Sequence, residues 1–104
     1  MDEVITLYIL TRNAFLDFVK FYNEGNQNML DIEQTIELKK LHSMWKEISI
    51  SNRNEICNEK SIDFFHSMKK HHQFINGIDS DLWKDYINKS MNFRLTLMQM
   101  QFHP

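Results

Sequence analysis

The residues of this sequence that could carry chemistry lie mostly between positions 55 and 73. Glu55, Glu59, Asp63 and His66 follow one another at intervals of three or four residues, so a helix would place them on one flank. Helical di-metal sites use carboxylates and imidazoles at this spacing, but they draw an acid and histidine pair from each of several helices. Only one such pair, Asp63 and His66, occurs here. We interpret the four side chains as a solvated charged face and predict no metal ion and no cofactor.

The segment HSMKKHHQ, residues 66–73, combines three histidines with two lysines. His66, Lys69 and Lys70 face away from the apolar stripe of the predicted helix, so they could contact phosphate groups. The imidazoles could also respond to pH near 6. The competing interpretation is a solvated helix end whose positive charges complement the helix dipole. Because the net charge is −2 and no long basic run occurs, nucleic-acid binding through these residues is the alternative function rather than the first.

Signals for enzymatic catalysis are weak in this sequence. Cys57 is the only cysteine, so it cannot form an intramolecular disulfide, and we expect it to be a small buried apolar residue. No Ser or Cys nucleophile with a base and an orienting group is evident, and two glycines are too few for a phosphate-binding loop. We therefore predict that the protein is not an enzyme and has no small-molecule substrate.

Two arginines, Arg12 and Arg94, occupy apolar faces of their predicted helices. A buried guanidinium without a partner is costly. One interpretation is that the aliphatic stems lie on the apolar face while the charged groups meet a nearby Asp or Glu. The other is that these arginines belong to a binding surface and anchor a carboxylate or phosphate of a partner.

The elements that must position these side chains are helices. Two glycines and one proline are too few turn formers for an all-β domain, and 104 residues with 42% hydrophobic content can build one core. The apolar spacing predicts an all-α, four-helix bundle-like architecture in a single domain, residues 1–104. The helices are predicted at residues 3–23, 31–49, 53–76 and 80–102. Off-stripe apolar residues in the third indicate a kink near Ser61.

Capping signals support these boundaries. Asp31 followed by Gln34 is a capping-box pattern at the start of the second helix, and Asn52 with Glu55 repeats the logic for the third. Gly25 suits the left-handed position that ends the first helix. The last segment also contains an alternation of apolar and polar residues from Met91 that is typical of an edge strand, but the alternation breaks at Met98 and we favour a helix.

The first and last helices carry more apolar surface than one packed side requires. Their apolar arcs span roughly 260° and 220°, whereas a helix on one side of a globule needs little over 100°. A membrane span is disfavoured for the first because Arg12, Asp17 and Lys20 interrupt it. Since the N-terminus has acidic residues before its apolar run, we expect no secretory signal and an intracellular protein, cytoplasmic or nuclear.

This excess predicts a non-enzymatic protein–protein interaction module: an adaptor, an inhibitor or a self-associating regulatory protein such as a homodimer. Its Asn, Lys and Ile content is typical of AT-rich genomes, which fits an accessory protein of a virus or mobile element. Docking through an apolar helix face would use aromatic, aliphatic and arginine anchors on the last helix. The predicted partner-binding residues are Trp83, Tyr86, Phe93, Arg94, Leu97 and Met100.

Overall fold

The computed structural model describes residues 2–48, 50, 53–56 and 58–102. Its helices are α1 (Glu3–Asn23), α2 (Ile32–Glu47), α3 (Arg53–Ile56), α4 (Glu59–Phe74) and α5 (Asp81–Phe102), with a 3-10 turn at Gln27–Met29. No strand occurs within these ranges. The all-α, four-helix bundle-like architecture is therefore confirmed, and the segment from Met91 to Phe102 is helical rather than an edge strand.

Local hydrogen bonding explains where the first two long helices begin and end. The Asp31 carboxylate accepts from the Gln34 backbone N–H at 2.8 Å, and the Gln34 side chain accepts from the Asp31 N–H at 3.1 Å, which confirms the capping box. Asp2 caps α1 by accepting from the Val4 N–H at 2.9 Å. Gly25 has a φ of 98°, the left-handed conformation that glycine adopts without steric cost just after a helix.

The prediction of one continuous helix over residues 53–76 is wrong, because the structure divides this segment into α3 and α4. Asn58 is the N-cap of α4, accepting from the Ser61 N–H at 2.8 Å. Its amide and the Ser61 hydroxyl both donate to the Glu55 carbonyl, at 2.7 and 2.6 Å. These bonds stabilise a break in the helix at Asn58, just before the kink that was predicted near Ser61. Cys57 and Asn52, for which burial and capping were predicted, lie outside the described residues.

The core is a continuous set of aromatic contacts between antiparallel neighbours. α4 runs antiparallel to α5, with Phe65 against Phe93 at 4.8 Å between ring centroids. α2 closes the bundle through Trp45, whose ring lies 6.0 Å from that of Phe65. Aromatic pairs of this kind each contribute about 0.5–1.5 kcal/mol beyond the area they bury. Along α1 and α5 the pairs are Phe18 with Trp83 (5.0 Å), Phe15 with Tyr86 (5.0 Å) and Tyr8 with Phe93 (6.1 Å).

The wide apolar arc of α1 is explained mainly by neighbours on two sides. Phe15 and Phe18 are both fully buried, the first between Trp45 of α2 and Tyr86 of α5 and the second against α5. Within the part of the chain that the structure describes, no helix combines the length and apolarity needed to cross a bilayer.

Candidate functional site

Four of the six residues predicted to bind a partner lie in the core. The exposed fractions of Trp83, Tyr86, Phe93 and Leu97 are 4, 0, 1 and 2%. Side chains this deeply buried offer no surface to a partner in this fold, so the sequence-based docking face is wrong at these positions. The other two, Arg94 and Met100, are half-buried.

Tyr86 has a structural role that its sequence position did not reveal. Trp45 Nε1–H, which can only donate, donates to the Tyr86 hydroxyl at 3.0 Å. The hydroxyl oxygen lies 2.6 Å from His72 Nε2. Because this nitrogen is the acceptor that the hydroxyl proton can reach among the described residues, we infer that Tyr86 donates to His72, and one polar chain joins α2, α5 and α4. Burial, with smaller effects of the Arg94 and His71 charges, lowers the pKa of His72 to about 3, and burial raises the pKa of Tyr86. Both groups are neutral at physiological pH and satisfied by one another.

The burial of His72 has a signal in the sequence. His72 follows Met68 by four residues and Phe65 by seven, and both are buried. Helical spacing therefore places His72 within the apolar stripe of α4.

The opposite side of α5 leaves an apolar row outside the core. Met91, Leu95 and Met98 are 48, 50 and 38% exposed. They are four and three residues apart, so they lie on one face of the helix, one turn after another. We call these three residues the outer row of α5.

A basic pocket lies where the outer row meets α4. Its volume is about 180 Å³. α4 contributes Lys69, Gln73 and Asn76, α5 contributes Ile87, Met91 and Arg94, and the buried rings of His72 and Trp83 complete the wall. The structure thus brings together Arg94, from the predicted partner-binding set, and Lys69, from the alternative nucleic-acid patch. None of these eight lining residues is acidic.

Arg94 is half-buried and has no carboxylate partner among the described residues. Its Nε–H donates to the carbonyl of Ser90, one turn earlier, at 3.3 Å. Burial lowers the pKa of Arg94, because desolvation disfavours the charged form. The guanidinium nevertheless stays protonated at neutral pH, so the pocket holds positive charge that no acid of the described chain neutralises.

The remaining residues of the 66–73 segment do not form one patch. His66 and Lys70 are exposed, and neither lines the pocket. His71 instead pairs with Glu37 of α2, which also accepts from Lys40 at 3.2 Å. The hydrogen bond from His71, followed by smaller effects of Lys40, lowers the pKa of Glu37. This histidine belongs to a contact between α2 and α4.

The described residues contain no cluster of three or more His, Cys, Asp or Glu that could hold a metal ion.

Comparison with known proteins adds no assignment: no protein-family model matches this sequence, and no match is found among curated proteins or among solved structures. The basic pocket and the outer row of α5 adjoin one another through Met91, which belongs to both.

Proposed function

We propose that this protein is a non-enzymatic protein–protein interaction module that binds a helical segment of another protein along the outer row of α5. The observation that carries the proposal is the position of that row beside the basic pocket. Single exposed apolar residues occur on most protein surfaces and need no explanation. Three on successive turns, ending at a recess with two cations, form an apolar strip beside positive charge that complements the spaced apolar and acidic residues of an amphipathic helix.

The chemistry of the pocket supports binding rather than catalysis. Its lining residues include no Ser, Thr, Cys, Asp or Glu, its one imidazole, His72, is hydrogen-bonded to Tyr86, and its one amine, Lys69, is on an exposed side chain. Nucleophilic and acid–base mechanisms need such groups within reach of the substrate. Arg94 and Met91, by contrast, are residue types enriched at protein interfaces.

The test is a selection from a displayed library of random 16-residue peptides against the immobilised full-length protein. We expect enriched peptides to lose at least about tenfold in affinity for Leu95→Glu, since a carboxylate would replace an apolar contact. The matched control is Ile32→Glu, which changes an apolar residue that is 80% exposed on α2 and should retain binding. Absence of enriched peptides, or equal binding to both variants, would contradict the proposal.

Light scattering distinguishes a foreign partner from a second copy. A monomer mass at high protein concentration is expected if the row serves another protein. A dimer that becomes monomeric in Leu95→Glu would instead identify the homodimer as the occupant of the outer row.

Nucleic-acid binding is the second candidate function, and the exposure of His66, Lys69 and Lys70 on α4 is the observation in its favour. It predicts that a labelled oligonucleotide binds at low salt, that the affinity falls steeply between 50 and 200 mM salt, and that Lys69→Ala with Lys70→Ala weakens binding. Fluorescence anisotropy would measure both effects. No binding at the lower salt concentration would remove this candidate.

A further inference from the structure

Two positive charges meet at the basic pocket without a counter-charge from the described residues. Lys69 and Arg94 both line it, and neither forms an ion pair with an Asp or Glu of the described ranges. Exposed lysines without an ion pair to a described residue, such as Lys60 and Lys70, also occur on α4. What distinguishes the pocket is that one of its two cations, Arg94, is half-buried and partly desolvated.

The Arg94 side chain is anchored on its own helix. Its Nε–H bond to the Ser90 carbonyl fixes the stem along α5, and this bond leaves the two terminal NH₂ groups for another acceptor. A guanidinium presents paired donors that match a carboxylate or a phosphate. Gln73 and Asn76, also in the lining, add amide donors from α4.

The size and rim of the pocket favour a carboxylate on a peptide over a nucleotide. Pockets that enclose a small-molecule ligand have volumes of about 300–1,000 Å³, and this pocket has about 180 Å³, room for one side chain. Its rim on α5 is apolar, with Ile87 and Met91, and continues into the outer row. A nucleic acid would instead be expected to meet a longer line of cations.

We propose that the basic pocket binds the carboxylate of an Asp or Glu side chain on an acidic, amphipathic peptide, with Arg94 and Lys69 as its charge partners. The apolar residues of that peptide, three or four positions from the acid, pack on the outer row. This assignment names the ligand chemistry of the proposed interaction module and rests on that proposed function. The acetate experiment that follows tests the pocket independently of any peptide.

The direct test is titration of the ¹⁵N-labelled full-length protein with sodium acetate, with sodium chloride at matched ionic strength as the reference. We expect a saturable shift of the Arg94 Nε–H resonance and of the Gln73 and Asn76 side-chain amides with acetate only. Lys69→Gln should weaken this response. Lys70→Gln, which removes an exposed lysine outside the pocket, should preserve it. Shifts no larger than those with chloride would overturn the proposal, and so would tighter saturation by inorganic phosphate than by acetate.

A second measurement connects the pocket to peptide binding. Peptides enriched in the library selection are resynthesised with their acidic residue changed to Gln or Asn, and their affinities for wild type and Arg94→Gln are compared. Loss of a charged hydrogen bond should weaken binding roughly ten- to a hundredfold for wild type and much less for the variant. Enriched peptides that lack an acid, or that bind Arg94→Gln equally well, would overturn the carboxylate assignment and leave the interaction module intact. An empty selection with a positive acetate response would instead contradict the interaction module and leave the carboxylate-binding pocket intact.

Discussion

The inner side of α5 lies in the core, where Phe93 is 1% exposed, whereas Leu95, only two residues further on, is 50% exposed on the outer side. The polar groups differ in the same way. Tyr86, on the inner side, accepts from Trp45 and donates to His72, so its polar group is satisfied within the protein. Arg94, on the flank towards the outer side, has a backbone carbonyl as its one hydrogen-bond partner within the described residues. Packing thus uses the inner side of α5 fully, whereas the outer side keeps charge and apolar surface in contact with solvent.

The largest effect is expected when the same charge is placed on the inner and on the outer side of α5. We expect Phe93→Glu to destabilise the fold by about 5 kcal/mol or more, because it removes a buried ring and leaves a carboxylate without a partner in the core. Leu95→Glu should change the free energy of unfolding by less than about 0.5 kcal/mol, as is usual for exposed positions. Urea unfolding followed by circular dichroism measures both. Comparable losses would mean that α5 is rotated relative to the structure.

The second prediction uses pH to charge the inner side without a mutation. The unfolded chain binds a proton at His72 near pH 6.5, whereas burial holds the folded pKa at about 3. Because the unfolded state binds more protons in this window, stability should fall as the pH decreases, by about 2 kcal/mol from pH 7 to 5 and by about 4 kcal/mol from pH 7 to 3.

Urea unfolding at pH 7, 6 and 5 gives this slope, and His72→Gln should reduce it. Burial also lowers the pKa of the half-buried His42, so His42→Gln is the matched control for the contribution of a second histidine. If wild type and His72→Gln lost the same stability over this range, the charge state inferred for the core histidine would be incorrect.

The third prediction concerns the hydroxyl that joins α2, α4 and α5. Tyr86→Phe keeps the ring and removes the oxygen, which leaves Trp45 Nε1–H and His72 Nε2 without their partner. An unsatisfied buried polar group costs about 1–3 kcal/mol, so a loss of about 3 kcal/mol is expected in thermal or urea unfolding. Tyr22→Phe is a matched control, since the Tyr22 hydroxyl has one partner, Thr35, at 3.1 Å. Tyr22→Phe should lose less stability than Tyr86→Phe. An equal loss would argue against a special role for the Tyr86 hydroxyl.

Much of the fold was predictable from the sequence because its signals are local. The Asp31 and Gln34 capping box, the left-handed Gly25 and the apolar periodicity of each long helix all act within a few residues. The break at Asn58 also has a local cause, since the Asn58 side chain accepts from the Ser61 N–H and caps α4. In the sequence this capping pattern is weaker than that of Asn52 and Glu55, from which we predicted the start of the third helix. The third helix was therefore predicted as one piece.

The site was less predictable, because its residues meet only through tertiary packing. Periodicity gives two adjoining apolar faces on α5 but does not tell which one points inward. We assigned the docking surface to the face of Phe93 and Leu97, and packing against α1 and α4 buries that face instead. Lys69 and Arg94 were each recognised as candidates, but their shared pocket depends on the register of α4 against α5.

A small effect on stability is expected from Arg94→Met, and its sign is informative. In the folded protein the guanidinium is partly desolvated, which lowers the pKa of Arg94, and no acid of the described chain compensates for it. A flexible apolar side chain of similar length removes this cost and can extend the outer row. We expect the free energy of unfolding at pH 7 to stay the same or rise by up to about 1 kcal/mol, while the response to acetate disappears. A loss of more than about 1 kcal/mol would instead identify Arg94 as a residue kept for the fold, and the contrast between the two sides of α5 would no longer imply a ligand.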